Sequence, residues 1–246
     1  MRTFCNMYMP NYENPEDKET NLLKKDVDLY FKHIDFVSIF HLVGGEPFLF
    51  KDIGNFIDHI AKYRDKIDHL TFTTNGTLVP KDEIIEKIKE NQIHLSISDY
   101  TDHIKYKRKL EKLIGKIENA GIKYALRKEP DWIDFGDPRI EKNFSDEEMI
   151  RHFKLCTSPY RAIDNGKFYY CHMETSARRS GIIRDDPNDY LNLNDKNISK
   201  LDISLFDLGH VKKGYLSFCK RCNGCNTGIE LPVTVASQGL REINNI

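Results

Sequence analysis

Apolar residues at helical spacing alternate with short apolar runs between about residue 17 and residue 125. The strand-like runs cover residues 36–43, 70–74, 93–97 and 122–126, and a helical pattern precedes each of them. Strands separated by helices of about ten to fifteen residues are typical of βαβ units, whose strands lie parallel in one sheet. The sequence therefore predicts an α/β fold with a parallel sheet.

The connections that follow these four runs are rich in glycine and small polar residues. They read Gly44-Gly45-Glu46-Pro47, Asn75-Gly76-Thr77, Ser98-Asp99-Tyr100 and Arg127-Lys128-Glu129. In a parallel barrel or open sheet, ligands bind at the carboxyl ends of the strands, because the following loops open on one face. Gly-Gly and Asn-Gly are also ordinary turn formers. The four connections in register, rather than any one of them, predict a binding edge.

The βα pattern weakens after about Pro130. Residues 132–137 are predicted to be turn-rich, residues 146–155 to form a helix capped by Ser145, and residues 185–200 to form a polar surface loop. We therefore expect two regions: a core over residues 1–150 and a cysteine-rich region over residues 151–246.

Five of the six cysteines lie in that second region, at Cys156, Cys171, Cys219, Cys222 and Cys225. Thiolates at C-x-x-C spacing can turn inward on one loop, and two such loops supply the four ligands of a zinc ion or an iron–sulfur cluster. The first four cysteines are the minimal set; Cys225 could replace one of them, bind another centre or remain a free thiol. The spacing does not separate zinc from iron–sulfur.

Composition narrows the class of protein without identifying it. A disulfide framework is typical of small secreted domains, and this chain of 246 residues has no apolar stretch of signal-peptide length, which favours a reduced, cytoplasmic protein. Lys and Arg number 37 against 38 Asp and Glu, so no charge field predicts a nucleic-acid partner. No apolar run approaches the ~20 residues that span a membrane.

The strand-end motifs together resemble those of the radical S-adenosylmethionine (radical SAM) enzymes. The resemblance rests on the segments 44–47, 74–77 and 96–99, and the late cysteines resemble the auxiliary-cluster region of the branch with twitch or SPASM extensions. It implies a partial (β/α) TIM-like barrel, [4Fe-4S] clusters and S-adenosyl-L-methionine, whose one-electron cleavage gives a radical that abstracts hydrogen. It also implies an electron donor of the flavodoxin or ferredoxin type and an unidentified small-molecule or peptide substrate.

In that family, Gly44 and Gly45 would let the backbone approach the methionine moiety, while Glu46 would accept a hydrogen bond from its ammonium group. The alternative for Glu46 is an acidic residue near a helix N-terminus, where the helix dipole favours it.

The other three strand-end residues have their own alternatives. The resemblance gives Ser98 a ribose or carboxylate contact and lets Arg127 pair with the ligand carboxylate. A helix cap and a solvated arginine are the respective alternatives. Asn75 is placed similarly and is favoured as a structural residue.

The family's CxxxCxxC loop, which holds three irons of the first cluster, is matched by Cys5 alone. Cys5 resembles the third cysteine and follows the expected aromatic residue, Phe4; the second would fall at Arg2 and the first before Met1. One thiolate would hold a cluster very weakly, so we expect no radical chemistry from this chain by itself. Three explanations would account for the missing cysteines: a start codon assigned too late, a truncated or decayed gene, or a partner that supplies the ligands. We favour an N-terminal truncation that also removes the first barrel strand.

The competing function is a non-catalytic zinc or iron–sulfur module on a degenerate barrel. The missing cysteine loop is the feature that separates it from the enzyme. Two histidines beside these motifs, His41 and His172, are not assigned as ligands.

Overall fold

The computed structural model describes residues 5, 7–13, 16–157, 160–229 and 231–235. Arg2 and Phe4, which entered the comparison of Cys5 with the family loop, lie outside the described residues. Within them, the first half of the chain forms a parallel sheet in the order β1-β2-β3-β4. The strands are β1 (Val37–Leu42), β2 (Ile67–Thr74), β3 (His94–Asp99) and β4 (Tyr124–Lys128).

One helix precedes each of these strands. The helices are α1 (Thr20–His33), α2 (Ile53–Ile60), α3 (Asp82–Glu90) and α4 (Lys107–Asn119). All three strand pairs are parallel and in continuous register, with Thr73 beside Ser96 and Ser98 beside Arg127. The predicted α/β fold with a parallel sheet is therefore confirmed, and a barrel that lacks its first strand stays a prediction.

The two faces of the sheet have different chemistry, because strand residues alternate between them. On β2, Leu70 and Phe72 are fully buried, and on β3 so are Leu95 and Ile97. These residues belong to the main apolar cluster together with buried residues of all four helices. The residues between them, such as Ser96, are hydroxylic and half-buried. The sheet therefore keeps one face for the core and leaves the other lined by polar groups.

The second half of the chain consists of shorter elements. They are β5 (Asp131–Ile133), α5 (Asp146–Leu155), β6 (Ala162–Asp164), β7 (Lys167–Tyr169), α6 (His172–Arg179), β8 (Tyr190–Asn192), α7 (Lys200–Asp207) and β9 (Pro232–Thr234). Strands β6, β7 and β8 form one antiparallel sheet, and β5 pairs antiparallel with β9. Helix α5 begins as predicted, since Ser145 and Glu148 form a reciprocal capping box.

Two predictions for this half were wrong over short stretches. Two residues of β5, 132 and 133, lie in the segment expected to be turn-rich, and all three residues of β8 lie in the expected surface loop. Both strands are only three residues long, and each exists because a partner distant in sequence supplies its hydrogen bonds. A strand of that length has no periodicity of its own from which it could be predicted.

The two halves share a core. Phe168 on β7 packs against Tyr30 on α1, with ring centroids 6.0 Å apart. The buried carboxylate of Asp26, also on α1, accepts backbone hydrogen bonds from Asn165 (3.0 Å) and Gly166 (2.7 Å) in the β6–β7 turn. Helix α1 thus fixes the hairpin that leads into Cys171. The division at residue 150 stays a prediction.

Among the described residues, no helix combines the length and the apolar character that crossing a membrane requires.

Candidate functional site

The Glu46 carboxylate joins the first strand-end loop to the second. Its Oε1 accepts hydrogen bonds from Thr74 Oγ1 at 2.8 Å and from the Phe48 backbone N–H at 3.2 Å, and its Oε2 accepts one from the Asn75 N–H at 2.8 Å. Burial raises the pKa of Glu46 above its ordinary 4.5, and these three hydrogen bonds oppose that rise. Glu46 and Asn75 therefore meet at one edge of the sheet, as the parallel register requires. Sequence reasoning had missed Thr74 as a partner.

Gly44 and Gly45, just before this carboxylate, have open space beside them. No heavy atom lies within 4 Å of a Cβ built on either residue, and neither has a φ in the left-handed region. Gly76 is the opposite case, because its φ is +70° and a Cβ there would lie 2.7 Å from Leu110. The fold thus requires glycine at residue 76 but not at residues 44 and 45. A backbone left bare toward open space can be approached closely by a ligand.

Ser98 and Arg127 lie beside each other on neighbouring strands at the same end of the sheet. Arg127 is exposed, with Nη2 3.4 Å from Ser96 Oγ, and Ser98 Oγ lies 3.4 Å from a carboxylate oxygen of Glu129. The guanidinium is therefore free of a close carboxylate partner among the described residues. The ligand contacts assigned to Ser98 and Arg127 stay predictions.

Cys5 lies in the neighbourhood of this same edge. Burial is the main cause that raises the pKa of Tyr100, the residue after β3, and the negative charge of a Cys5 thiolate adds to that rise. Such an effect requires the thiol to lie near the carboxyl end of β3. Cys5 is thus separate in the chain from the five later cysteines and close to the strand-end loops.

His41 lies on the polar face of the sheet, where its Nε2 is 2.6 Å from Thr73 Oγ1. Burial and then the nearby Arg127 guanidinium lower its pKa, which favours the neutral imidazole. Its ring also meets Tyr160 edge-on at 5.3 Å, and Tyr160 meets His172 at 5.5 Å. His41 is a lining residue of the polar face that sequence reasoning did not assign.

Four of the late cysteines lie in or beside three short helices. Cys156 ends α5, Cys171 caps the N-terminus of α6, Cys219 lies in the 3-10 helix Ser217–Arg221, and Cys222 follows that helix. Burial raises the pKa of the Cys219 thiol well above its usual range, and charges on the other three thiols raise it further. Burial likewise raises the pKa values of Cys171 and Cys222 to about 12. The fold therefore brings four buried or half-buried cysteines into one neighbourhood.

Backbone N–H groups point at two of these sulfur atoms. Cys171 receives hydrogen bonds from the first turn of α6, and the Gly224 N–H lies 3.3 Å from Cys222 Sγ. Gly224 has φ +76°, and a Cβ there would lie 2.5 Å from Thr227. The Thr157 N–H, next to Cys156, donates to the Cys225 carbonyl at 2.9 Å, which brings the fifth cysteine to the same neighbourhood.

A buried ionic network joins the two elements that carry Cys171 and Cys219. Arg178 on α6 bonds Glu174 at 2.6 Å and approaches Asp189 at 3.5 Å, and all three side chains are almost fully buried. Asp189 in turn accepts the backbone N–H groups of Ser217 (2.7 Å) and Phe218 (3.1 Å) at the start of the 3-10 helix. The network therefore holds α6 and this short helix in fixed relation.

These donors suit a soft metal centre, because buried thiols with backbone N–H partners favour zinc or iron–sulfur binding over oxygen-ligated ions. In the described part of the chain, no three Cys, His, Asp or Glu side chains already meet in a metal-holding arrangement. The four-thiolate centre, and the places of Cys5 and Cys225 as ligands, therefore stay predictions.

Comparison with known proteins identifies the family to which this chain belongs. The family model of the radical SAM superfamily matches residues 3–128, more than half of the chain. The chain therefore belongs to the radical SAM superfamily. Members of that family use a [4Fe-4S] cluster and S-adenosylmethionine.

Among curated proteins, the chain is similar to GTP 3',8-cyclases of Campylobacter jejuni. The proteins of subspecies doylei strain RM4099 and of strain RM1221 are each 30% identical to it over 164 residues. The match covers 63% of this chain and 48% of theirs, so the chain spans about half the length of the curated relatives it matches. The likeness suggests an enzyme.

Proposed function

We propose that this chain carries the S-adenosylmethionine-binding edge of a radical SAM enzyme, together with an auxiliary [4Fe-4S] cluster on Cys156, Cys171, Cys219 and Cys222. When bound, the cofactors of the full-length form supply reductive cleavage of the sulfonium and abstraction of hydrogen from substrate. The residues of this chain supply binding and orientation.

The observation that carries the proposal is the Glu46 link between the first two strand-end loops. It fixes the open backbone of Gly44 and Gly45 beside Asn75. The carboxylate has about four acceptor positions, and protein donors fill three, so one is left for an ammonium group of the ligand. Ser98 and Arg127, at the ends of the next two strands, offer a hydroxyl and a cation to its ribose or carboxylate.

Substrate and partners belong to the same proposal. The GTP 3',8-cyclase relatives make GTP the first compound to test as substrate, at 30% identity over part of the chain. An electron donor of the flavodoxin or ferredoxin type would serve the reductive step, and we place the protein in the cytoplasm. Twitch or SPASM character of the cysteine region is proposed from the cysteine pattern.

Binding of S-adenosylmethionine to the anaerobically reconstituted chain tests the proposal. Equilibrium dialysis with labelled S-adenosylmethionine should give saturable binding that S-adenosylhomocysteine displaces and adenosine triphosphate does not. An Arg127→Met, Ser98→Ala double variant should bind more weakly. Absence of saturable binding, or equal displacement by adenosine triphosphate, would reject the proposed site.

The second candidate is a zinc-stapled module without catalytic function, favoured by the C-x-x-C spacing of Cys219 and Cys222. One zinc per chain with no acid-labile sulfide would support it against the cluster.

A further inference from the structure

The Tyr8 hydroxyl is buried without a hydrogen-bond partner. Tyr8 is only 7% exposed, and its Oη finds no donor or acceptor among the residues that the structure describes. Buried hydroxyls are almost always hydrogen-bonded, so a buried hydroxyl without a protein partner is a candidate donor to a bound group.

The surroundings of this hydroxyl are the late cysteines. Tyr8 belongs to a second apolar cluster, separate from the main core, against which Cys171 and Cys225 also pack; its buried members are Tyr8, Phe135, Met173, Ala177, Phe218 and Cys222. The Tyr8 side chain is therefore packed in the same cluster as Cys222, and its phenolic O–H has a proton to donate.

The backbone holds Tyr8 in place at a conformational cost. Its φ is +55°, in the left-handed region that a bulky residue rarely adopts, and its N–H donates to the Cys5 carbonyl at 2.9 Å. Such a conformation persists only where the surrounding structure determines it, and it occurs preferentially at functional sites. The turn from Cys5 thus directs the Tyr8 side chain from the strand-end region into the cysteine neighbourhood.

We propose that Tyr8 is a positioning residue for the auxiliary centre: its hydroxyl donates a hydrogen bond to a sulfur atom of the cluster held by the late cysteines, at Cys171, Cys222 or an adjacent sulfide. The inference rests on the proposed cluster. A hydrogen bond to cluster sulfur stabilises the reduced form and so raises the reduction potential. Because Tyr8 lies three residues after Cys5, the same turn links the two metal-binding regions.

The test uses Tyr8→Phe, which removes the hydroxyl and keeps the ring. Tyr12→Phe is the matched control, because Tyr12 lies on the same segment but its hydroxyl donates to the Ser176 carbonyl at 3.2 Å. Wild type and both variants are reconstituted anaerobically and analysed for iron and sulfide. The midpoint potential of the cluster is then measured by redox titration, and exchangeable protons near the reduced cluster by electron–nuclear double resonance.

We expect Tyr8→Phe to keep its iron and sulfide, to shift the cluster potential to a lower value, and to lose one exchangeable proton coupling that wild type and Tyr12→Phe retain. An intact cluster with unchanged potential and unchanged proton coupling in Tyr8→Phe would overturn this inference alone. A wild-type chain without iron and sulfide would overturn the proposed cluster, and the inference with it.

Discussion

The strand-end edge and the cysteine neighbourhood differ in how their buried polar groups are hydrogen-bonded. At the strand ends, one carboxylate, Glu46, is satisfied by three protein donors, while two glycines leave open space beside it. Around the late cysteines the side chains form an apolar cluster, the cysteines are buried or half-buried, and the Tyr8 hydroxyl has no partner among the described residues. The first region satisfies its carboxylate within the protein, whereas the second holds a buried hydroxyl that has no partner among the described residues.

This difference predicts how the stability of each region changes when its ligand binds. A preformed open edge binds a small molecule with little change in folding, since the fold already stabilises its backbone. A buried set of thiols binds metal as part of folding, so the binding free energy adds to the free energy of unfolding. Mutations at the strand ends should therefore change ligand affinity without changing the free energy of unfolding. Mutations near the late cysteines should change both quantities together.

The largest effect on stability is expected from Arg178→Met. The variant leaves Glu174 and Asp189 buried without their cation, and removing one partner of a buried ion pair typically costs about 3–5 kcal/mol. Burial and the charge of Asp189 already raise the pKa of Glu174, so the loss should be greatest at high pH and decrease as the pH falls and the carboxylates take up protons. Urea unfolding at several pH values measures it.

Arg139→Met is the control, because Arg139 pairs with Asp137 at the surface at 2.7 Å. Its unfolding should match wild type. Equal losses in the two arginine variants would contradict the structural role of the buried network.

A smaller loss is expected from Glu46→Ala. The buried hydroxyl of Thr74 and the N–H of Asn75 lose their acceptor, at a cost of about 1–3 kcal/mol for an unsatisfied buried group. Glu46→Gln retains an acceptor and should lose less.

The pH dependence separates these variants. Because burial raises the pKa of Glu46, the folded state holds this proton to higher pH than the unfolded state, and the contribution of Glu46 to stability falls as the pH rises from the ordinary 4.5 through the folded pKa. The Gln variant should lack this fall. If the free energy of unfolding of the wild type changed with pH in parallel with that of Glu46→Gln, a raised pKa of the Glu46 carboxylate would be contradicted.

Gly45→Ala should change affinity and leave stability unaltered. Its new methyl meets no protein atom within 4 Å, but it occupies the space that the ligand would enter. We expect binding of S-adenosylmethionine to weaken by about tenfold, or ~1.4 kcal/mol, with an unchanged urea midpoint.

Gly115→Ala, inside α4 and also free of contacts, is the control and should gain about 0.5–1 kcal/mol in stability with unchanged affinity. Unchanged affinity in Gly45→Ala would place the ligand elsewhere.

The smallest effect on folding is expected from Arg127→Met. Within the described part of the chain, the hydrogen bond found for the guanidinium is a 3.4 Å contact with Ser96, so the melting temperature should stay that of wild type, while S-adenosylmethionine binds more weakly. Lys128→Met, which removes an exposed pair with Asp102 at 2.7 Å, should leave both quantities unchanged. A fall in melting temperature for Arg127→Met would indicate a structural arginine instead.

The sequence predicted the regular half of the fold better than the irregular half. Strand β2 and its neighbours carry their own alternation, and parallel pairing then places Glu46 and Asn75 at one edge without further information. Strands β5 and β8 depend on partners distant in sequence, so no local pattern marks them. The membership of Tyr8 and Cys222 in one apolar cluster is of the same kind, because the two residues are far apart in the chain. The spacing of the cysteines was enough to select them as candidate ligands. The buried network around Arg178 could not be predicted, because its residues form no periodic pattern in the sequence.

Iron and sulfide analysis of the anaerobically reconstituted chain tests the central claim most directly, with Cys171→Ser beside wild type. About four irons and four sulfides per wild-type chain are expected, and Cys171→Ser should lose most of both. A single zinc without sulfide in the wild-type chain, or unchanged iron in Cys171→Ser, would contradict a cluster on the late cysteines.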